Sequence, residues 1–189
     1  RLSMGVRSGA VFDLDAFVAD CVAARAGSDS MLAVKDVLNR AMSNPSGVAE
    51  AVTANPGVEV LHRADDLVIL SVIIPAGLRE TLPHDHTMWA LVGVYGGQED
   101  NRFFRRDGDG LVESGAGRTL RAGDTLAMGD DTIHAIRNPR STESLAAIHV
   151  YGGDLISAER SMWTRPGYDE QPYDDTKVLG RGGIRYADS

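Results

Sequence analysis

Histidine is the residue type in this chain best suited to chemistry, and two of the five histidines stand close together. His84 and His86 are separated by a single residue. On a β-strand, residues two apart point to the same face of the sheet, so both imidazoles can reach one metal ion. Because an H-x-H pair also arises on ordinary polar strands, a metal site is predicted only where a second signal accompanies it.

The second signal lies later in the chain, in a segment that ends at Asn138. Gly123, His134 and Asn138 match the offsets of the second cupin motif, G-x5-P-x-G-x2-H-x3-N. Gly129 replaces the proline of that motif and Asp131 replaces its second glycine. All these residue types support a tight bend before the strand that bears the histidine. The chain therefore resembles the cupins, which implies a mainly β fold, a double-stranded β-helix or jelly-roll barrel.

This resemblance implies a metal held by three histidines, His84, His86 and His134. The first cupin motif usually supplies a glutamate as well, but the residues after His86 are Thr87 to Leu91. Three neutral imidazoles leave the charge of a divalent ion uncompensated and leave positions open for an anionic sulfur or oxygen ligand and for O2. A structural site is instead typically closed by cysteines, and this chain has only Cys21. We therefore predict a catalytic metal site.

A further pair of polar residues, His149 and Tyr151, is again two apart on a predicted strand. A histidine that hydrogen-bonds a tyrosine hydroxyl can orient that hydroxyl toward a metal-bound ligand. The alternative is a satisfied polar pair inside the barrel. Beside a three-histidine site we favour the functional interpretation.

Several longer runs resemble the bacterial thiol dioxygenases, that is, the cysteine dioxygenase family and its 3-mercaptopropionate dioxygenase branch. The runs are PHDHTMWALVGVYGG, GVYGGQEDNRFFRR, IHVYGGDL and RSMW with the later QPYD, and the resemblance covers roughly Leu82 to Asp174. Similar runs also occur in uncharacterised bacterial proteins described as metal-dependent enzymes of the double-stranded β-helix superfamily. The resemblance implies mononuclear non-haem Fe(II), with O2 as co-substrate and a sulfinate as product.

Residue by residue, His149 and Tyr151 match two members of the Ser-His-Tyr triad of that family. The serine position falls on Ala147, so the pair here must be oriented by another group. Arg160 matches the arginine that binds the substrate carboxylate in the 3-mercaptopropionate branch, and a guanidinium can hold a carboxylate by two parallel hydrogen bonds. The alternative for Arg160 is a surface salt bridge with the acidic tail. Cys21 lies far upstream, so we expect no cysteine–tyrosine crosslink.

The elements that position these residues are predicted from periodicity. Apolar residues at three- and four-residue steps predict a helix around Leu14 to Val22, with Asp13 or Asp15 as its cap. They also predict a second helix from Ser30 to about Met42, whose inner side carries Leu32, Val34, Val37, Leu38 and Ala41. From Val58 onward, short β-rich runs alternate with Gly- and Asp-rich turns, and the predicted strands include Leu67 to Pro75, His86 to Tyr95 and the run from Leu111 to Leu120. We predict an N-terminal helical segment, 1–57, packed on a cupin barrel, 58–189, whose C-terminal tail wraps over the barrel.

Composition limits the possible partners. The formal net charge is −8 and there is no basic run longer than Arg105-Arg106, so we expect no nucleic acid, and no apolar stretch long enough to suggest a membrane span occurs. With a single cysteine, a reducing, cytoplasmic location is expected. The predicted function is oxidation of a small thiol that bears a carboxylate, in a monomer or a homo-oligomer. The alternatives are another metal-dependent reaction, such as that of a lyase or isomerase, and a non-catalytic small-molecule-binding cupin.

Overall fold

The computed structural model describes residues 11–52, 55–77 and 80–179, together with the backbone of 184–185. Three helices come first, followed by β-strands that continue almost to the end of the chain, with one short helix near that end. The helices are α1 (Leu14–Arg25), α2 (Ser30–Met42), α3 (Pro45–Ala51) and α4 (Asp175–Val178). The strands are β1 (Gly57–Ala64), β2 (Leu67–Ile74), β3 (His84–Asp85), β4 (Ala90–Gly96), β5 (Gln98–Asp107), β6 (Gly110–Glu113), β7 (Arg118–Arg121), β8 (Thr125–Met128), β9 (Ile133–Arg137), β10 (Leu145–Tyr151), β11 (Ser161–Thr164), β12 (Asp169–Pro172) and β13 (Ile184–Arg185).

The helix starts follow from local capping chemistry. Asp13 is the N-cap of α1, and its carboxylate accepts a hydrogen bond of 3.0 Å from the backbone N–H of Ala16. Asn44 caps α3 in the same way, directly before Pro45, whose missing N–H costs nothing at the first helical position. α2 has no such side-chain cap. The predicted first and second helices are both present as α1 and α2, and Asp13 is the cap of the first.

Two sheets built largely from antiparallel strand pairs form the rest of the molecule. One sheet has the order β13-β1-β2-β10-β4-β8, and the other has the order β12-β11-β3-β9-β5-β6, with β7 also paired to β5. Along the chain, β2 lies in the first sheet, β3 in the second, β4 in the first, β5 in the second, β8 in the first, β9 in the second and β10 in the first. This alternation between two sheets is the jelly-roll order of a double-stranded β-helix. The mainly β cupin fold with N-terminal helices is confirmed.

The central strands of the first sheet, β2, β10 and β4, are buried on both faces, so they are mostly apolar rather than alternating. On β10, Ile148 and Val150 join the helices in one core, whereas Ala147 and Tyr151 point to the barrel interior. Gly93 on β4 allows the helices to come close, because a Cβ there would lie 2.8 Å from Met42 Cγ. The helices thus seal the outer face of the sheet and leave the inner face to line the barrel.

Some sequence-based details were wrong. Leu32 was predicted on the inner side of α2 but is 56% exposed, because the buried face of that helix is formed by Val34, Val37, Leu38, Ala41 and Met42. The predicted strand from His86 to Tyr95 begins only at Ala90. The run from Leu111 to Leu120 forms two strands, β6 and β7. Residues 1–10 and 53–54 of the predicted helical segment lie outside the described residues.

The C-terminal tail contributes strands to the barrel. β11 pairs with β3 through Met162 and His84, and β12 pairs with β11. β13 lies parallel to β1. Within the described part of the chain, no helix is both long enough and apolar enough to cross a membrane.

Candidate metal centre

Three histidines converge inside the barrel from two neighbouring segments. His84 on β3 lies directly opposite His134 on β9 in the strand register. His86 follows the end of β3 rather than lying on a strand, so the strand-alternation argument for this pair was wrong. Thr87 adopts a φ of 58° there, a left-handed conformation that costs energy for a β-branched residue. This turn brings the His86 ring to the same cavity.

Hydrogen bonds fix which nitrogen of two rings faces that cavity. His84 donates from Nδ1 to the carbonyl oxygen of Leu82 at 2.9 Å. His134 donates from Nδ1 to the side-chain oxygen of Asn101, also at 2.9 Å. An imidazole that donates from Nδ1 in its neutral form keeps a lone pair on Nε2. Both Nε2 atoms are therefore ready to bind a cation.

The distances between the rings fit a bound transition metal. The nearest pair of ring nitrogens, Nε2 of His134 and Nε2 of His86, is 3.3 Å apart. Two ligands that each lie about 2.0–2.1 Å from one ion, at about 90–110° to each other, are about 2.9–3.4 Å apart. The ligand atoms of His84, His86 and His134 all lie within 4.8 Å of one another. The residues present therefore fit a mononuclear metal ion.

Burial keeps these rings in the neutral form that a metal requires. Desolvation lowers the pKa of His84 to about 3, and it lowers the pKa values of His86 and His134 well below the ordinary histidine value. The neighbouring imidazoles add to the lowering for His86 and His134. Protons therefore compete poorly with a cation at neutral pH. Nδ1 of His86 is buried and has no hydrogen-bond partner within the described residues, which makes this ring the least supported of the three.

His149 and Tyr151 lie on the wall of the same cavity. Nδ1 of His149 is 3.1 Å from the hydroxyl of Tyr151, and the Tyr151 ring packs edge-on against His86 with their centroids 5.1 Å apart. Burial raises the pKa of the Tyr151 hydroxyl, so the phenol stays protonated. The chain thus places a neutral hydroxyl beside the histidine cluster.

Two further buried polar residues belong to this site, and sequence reasoning missed both. Glu99 and Asn101 lie on β5, 0% and 1% exposed respectively. Nδ2 of Asn101 donates to Glu99 at 2.8 Å, and the other Glu99 oxygen lies 3.4 Å from Nε2 of His149 across the barrel. The sequence signal was a Glu and an Asn two apart, with Asn101 at the start of the predicted strand NRFFRR and Glu99 before it. This spacing does not say which face of a strand is buried.

Ala147, the position at which the resemblance to thiol dioxygenases would place a serine, is fully buried among apolar residues on the inner face of β10. The Glu99 carboxylate lies 3.4 Å from Nε2 of His149, the ring nitrogen that does not face Tyr151. The polar group beside this nitrogen therefore comes from the other sheet, fifty residues earlier in the chain.

Arg160 lies between a small inner cavity and a wide outer groove. The inner cavity has a volume of about 30 Å³ and is lined by the three clustered histidines, His149 and Tyr151. Arg160 and Tyr173 line both this cavity and the groove. The guanidinium lies 3.3 Å from the centroid of the Tyr173 ring and donates to the backbone carbonyls of Leu155 and Asp85. Among the described residues it forms no ion pair, so the alternative of a surface salt bridge with the acidic tail gains no support there.

Other residues in and around the two histidine motifs hold the strands and loops that surround the site. Asn138 donates to the carbonyls of Ile74 and Glu143 and accepts from the N–H of Arg140, which ties the loop after β9 to the end of β2. Asp85, between the two histidines, accepts from the N–H of Ser161 and so anchors β11 beside β3. Cys21 lies in the helix-covered core, away from Tyr151.

Comparison with known proteins finds only distant similarities. No family model matches the sequence. A cupin from Methanocaldococcus jannaschii with a double-stranded β-helix fold is 13% identical, over 55% of this chain and 85% of that chain, with a TM-score of 0.44. The DMSP lyase DddQ from Ruegeria pomeroyi is 18% identical over 74% of each chain, with a TM-score of 0.43. Hydroquinone 1,2-dioxygenase from Sphingomonas sp. TTNP3 is 12% identical, over 58% of this chain and 73% of that chain, with a TM-score of 0.42.

Proposed function

We propose that this protein is a mononuclear non-haem iron dioxygenase that oxidises a small, carboxylate-bearing thiol with O2. The observation that carries the proposal is a buried cluster of three neutral imidazoles with a tyrosine hydroxyl beside it and a guanidinium at its entrance. His84, His86 and His134 would hold Fe(II). The iron, when bound, would supply sites at which the thiol and O2 react.

The lack of a carboxylate in the ligand set supports a substrate with an anionic sulfur. Glu99 is the nearest acidic candidate on β5, but its two oxygens face Asn101 and His149 rather than the histidine cluster. A divalent ion on three neutral ligands attracts an anionic ligand strongly in a buried site of low dielectric constant. A thiolate fits that requirement better than a neutral alcohol or amine does.

Arg160 would bind the substrate carboxylate. Its guanidinium is held against Tyr173 and donates to two backbone carbonyls at 3.3 and 3.4 Å, which are long for hydrogen bonds. A carboxylate would give shorter, charge-assisted bonds. Since Arg160 also lines the inner cavity, a bound carboxylate there would direct a thiol two or three bonds away toward the histidines.

The inner cavity favours a small substrate. Its volume of about 30 Å³ has room for only a few water molecules. A short thiol acid would therefore have to displace Arg160 or Tyr173 partly into the outer groove, which is about 1090 Å³ in volume. The reaction R–SH + O2 → R–SO2H is balanced without another reductant, because both oxygen atoms end on sulfur.

The test is O2 consumption by anaerobically iron-loaded protein against cysteine, 3-mercaptopropionate and other small thiols. We expect uptake that requires both iron and a thiol, one sulfinate formed per O2, and no uptake by His86→Ala. Arg160→Ala should raise KM for thiols that bear a carboxylate far more than for cysteamine, which has none. Stoichiometric iron with no uptake for any thiol would reject the proposed function.

A further inference from the structure

A continuous line of hydrogen bonds runs through the barrel interior from the Tyr151 hydroxyl to the ring of His134. Its members, in order, are Tyr151, His149, Glu99, Asn101 and His134, which we call the buried chain. Every member is at most 5% exposed. Buried polar groups of this kind rigidify a site when each donor meets an acceptor.

The direction of each bond in the buried chain follows from donor and acceptor counting. Nδ1 of His134 donates to the carbonyl oxygen of Asn101, which leaves the amide group of Asn101 to donate to Glu99. A carboxylate is only an acceptor, so Glu99 accepts from Asn101 at one oxygen and from Nε2–H of His149 at the other. The latter distance, 3.4 Å, is longer than usual, as hydrogen bonds in active sites often are before a substrate binds.

The tautomer of His149 then decides whether the Tyr151 hydroxyl donates or accepts a hydrogen bond on the side of the three clustered histidines. If the hydrogen of His149 is on Nε2, Nδ1 is an acceptor and takes the hydrogen of the Tyr151 hydroxyl at 3.1 Å. The phenol has one hydrogen, so its oxygen can then only accept from a group beside the histidine cluster. We propose that Glu99 is the positioning residue of this site, whose carboxylate holds His149 in the Nε2–H form and thereby makes Tyr151 a hydrogen-bond acceptor.

This inference builds on the metal site of the proposed function and adds a preference among its ligands. A ligand that can donate a hydrogen bond to the Tyr151 oxygen is favoured. An anion that needs a hydrogen-bond donor at that position is not favoured. The apolar neighbours of His149 in the sheet, Leu70 and Val92, offer no other polar partner to its ring. Among the described residues, Glu99 is therefore the side chain at Nε2 of His149 that sets the tautomer of this ring.

Glu99→Gln should reverse the direction of the hydrogen bonds from residue 99 through His149 to Tyr151, while the side chain at position 99 keeps nearly the same shape. Because the amide group of Asn101 still donates, a glutamine must turn its oxygen to Asn101 and its NH2 to His149. Nε2 of His149 then accepts, Nδ1 carries the hydrogen and donates to the Tyr151 oxygen, and the phenol hydrogen becomes free to point at the metal side. Asp100→Asn makes the same chemical change one position along β5, on a side chain that pairs with Arg137 outside the barrel, and is the matched control.

The first measurement is the nitrogen-15 spectrum of histidine-labelled protein, in the metal-free and Zn(II)-saturated states, with the His149 signals assigned by His149→Gln. We expect the hydrogen on Nε2 of His149 in the wild-type protein and in Asp100→Asn, and on Nδ1 in Glu99→Gln. A wild-type His149 that carries its hydrogen on Nδ1 would overturn the proposal. This test requires no variant at Glu99 to fold.

The second measurement is azide binding to Co(II)-loaded protein, followed by the visible absorption of the metal. Glu99→Gln should bind azide about 3- to 10-fold more tightly, the gain of one hydrogen bond. Removal of a buried negative charge would also favour azide, so the same change is made in Tyr151→Phe, and the two effects are compared in a double-mutant cycle.

If Glu99 acts through Tyr151, most of the gain disappears in the Tyr151→Phe background. An equal gain in both backgrounds, or none in either, would contradict the positioning role. Neither measurement uses a thiol or O2. Absence of thiol oxidation with a positive cycle would therefore reject the proposed function alone, and thiol oxidation with a negative cycle would reject this inference alone.

Discussion

The central strands β2, β10 and β4 of the first sheet are buried on both faces, but the two faces have different functions. On the outer face, Ile148 and Val150 pack with Val34 and Leu38 of α2 in a core without polar side-chain chemistry. On the inner face of the same strand, His149 and Tyr151 join the buried chain. The difference shows that one strand can carry stability on one side and a candidate reaction site on the other, because alternate residues never share a face.

The two faces also differ in how their buried groups respond to protons. Desolvation lowers the pKa of His84 to about 3, and it raises the pKa of the Cys21 thiol, in the helix-covered core, to about 12. In both cases the neutral form is favoured. For the histidines this prepares a metal site, whereas for the cysteine it leaves an inert apolar side chain.

The largest expected effect that separates the faces is acid destabilisation of the metal-free protein. Between about pH 6.5, the ordinary histidine pKa, and pH 3, the unfolded chain binds protons that buried His84 does not. The unfolding free energy should therefore fall as pH falls through this window, by up to about 1.4 kcal/mol per pH unit for each such histidine. Urea unfolding at stepped pH measures it, and a profile as flat as that of His84→Gln would count against burial of this ring in its neutral form.

Truncation of the outer face should reduce stability without touching the site. Ile148→Ala is expected to lower the unfolding free energy by about 2–5 kcal/mol, and Ile148→Val by about 0.5–1.5 kcal/mol, because a cavity opens beneath the helices. Co(II) affinity of the folded protein should stay unchanged in both variants. Urea denaturation and metal titration measure the two quantities, and a large loss of affinity would show that the two faces are coupled.

Truncation of a residue on the inner side of the barrel should instead lower the affinity for the metal. Asn101→Ala removes the acceptor that fixes the His134 ring, so metal affinity should fall by about 10- to 100-fold, as for other residues that hold a metal ligand from behind. Competition with a chromophoric chelator measures this loss. Asp100→Asn serves again as the control, and equal affinities for Asn101→Ala and the wild-type protein would mean that His134 needs no such support.

The smallest effect is expected at Cys21. Its thiol is fully buried, and burial holds its pKa far above neutrality, so alkylation by iodoacetamide at pH 8 should be undetectable in the folded protein and complete in urea. Mass spectrometry measures the extent. Rapid modification of the native protein would place α1 in an open state and weaken the contrast between a sealed outer face and an accessible inner one.

Sequence patterns predicted much of this architecture, for physical reasons that apply locally. Capping and helical periodicity located α1 and α2, and the apolar run at Leu67–Ile74 gave a buried strand. The same reasoning erred where tertiary packing decides. Leu32 has the period of an inner residue but is exposed, and the turn at Thr87 interrupts a run whose composition favours a strand throughout.

The sequence by itself determined which residues can do chemistry: the histidine spacings and the lack of a glutamate from Thr87 to Leu91 are read directly from the chain. Only the tertiary structure decided which groups meet. Glu99 reaches His149 from the opposite sheet, and Arg160 stacks on Tyr173. Residue type and local spacing set what a side chain can donate or accept, but its partner depends on how distant strands pair, which local periodicity does not encode.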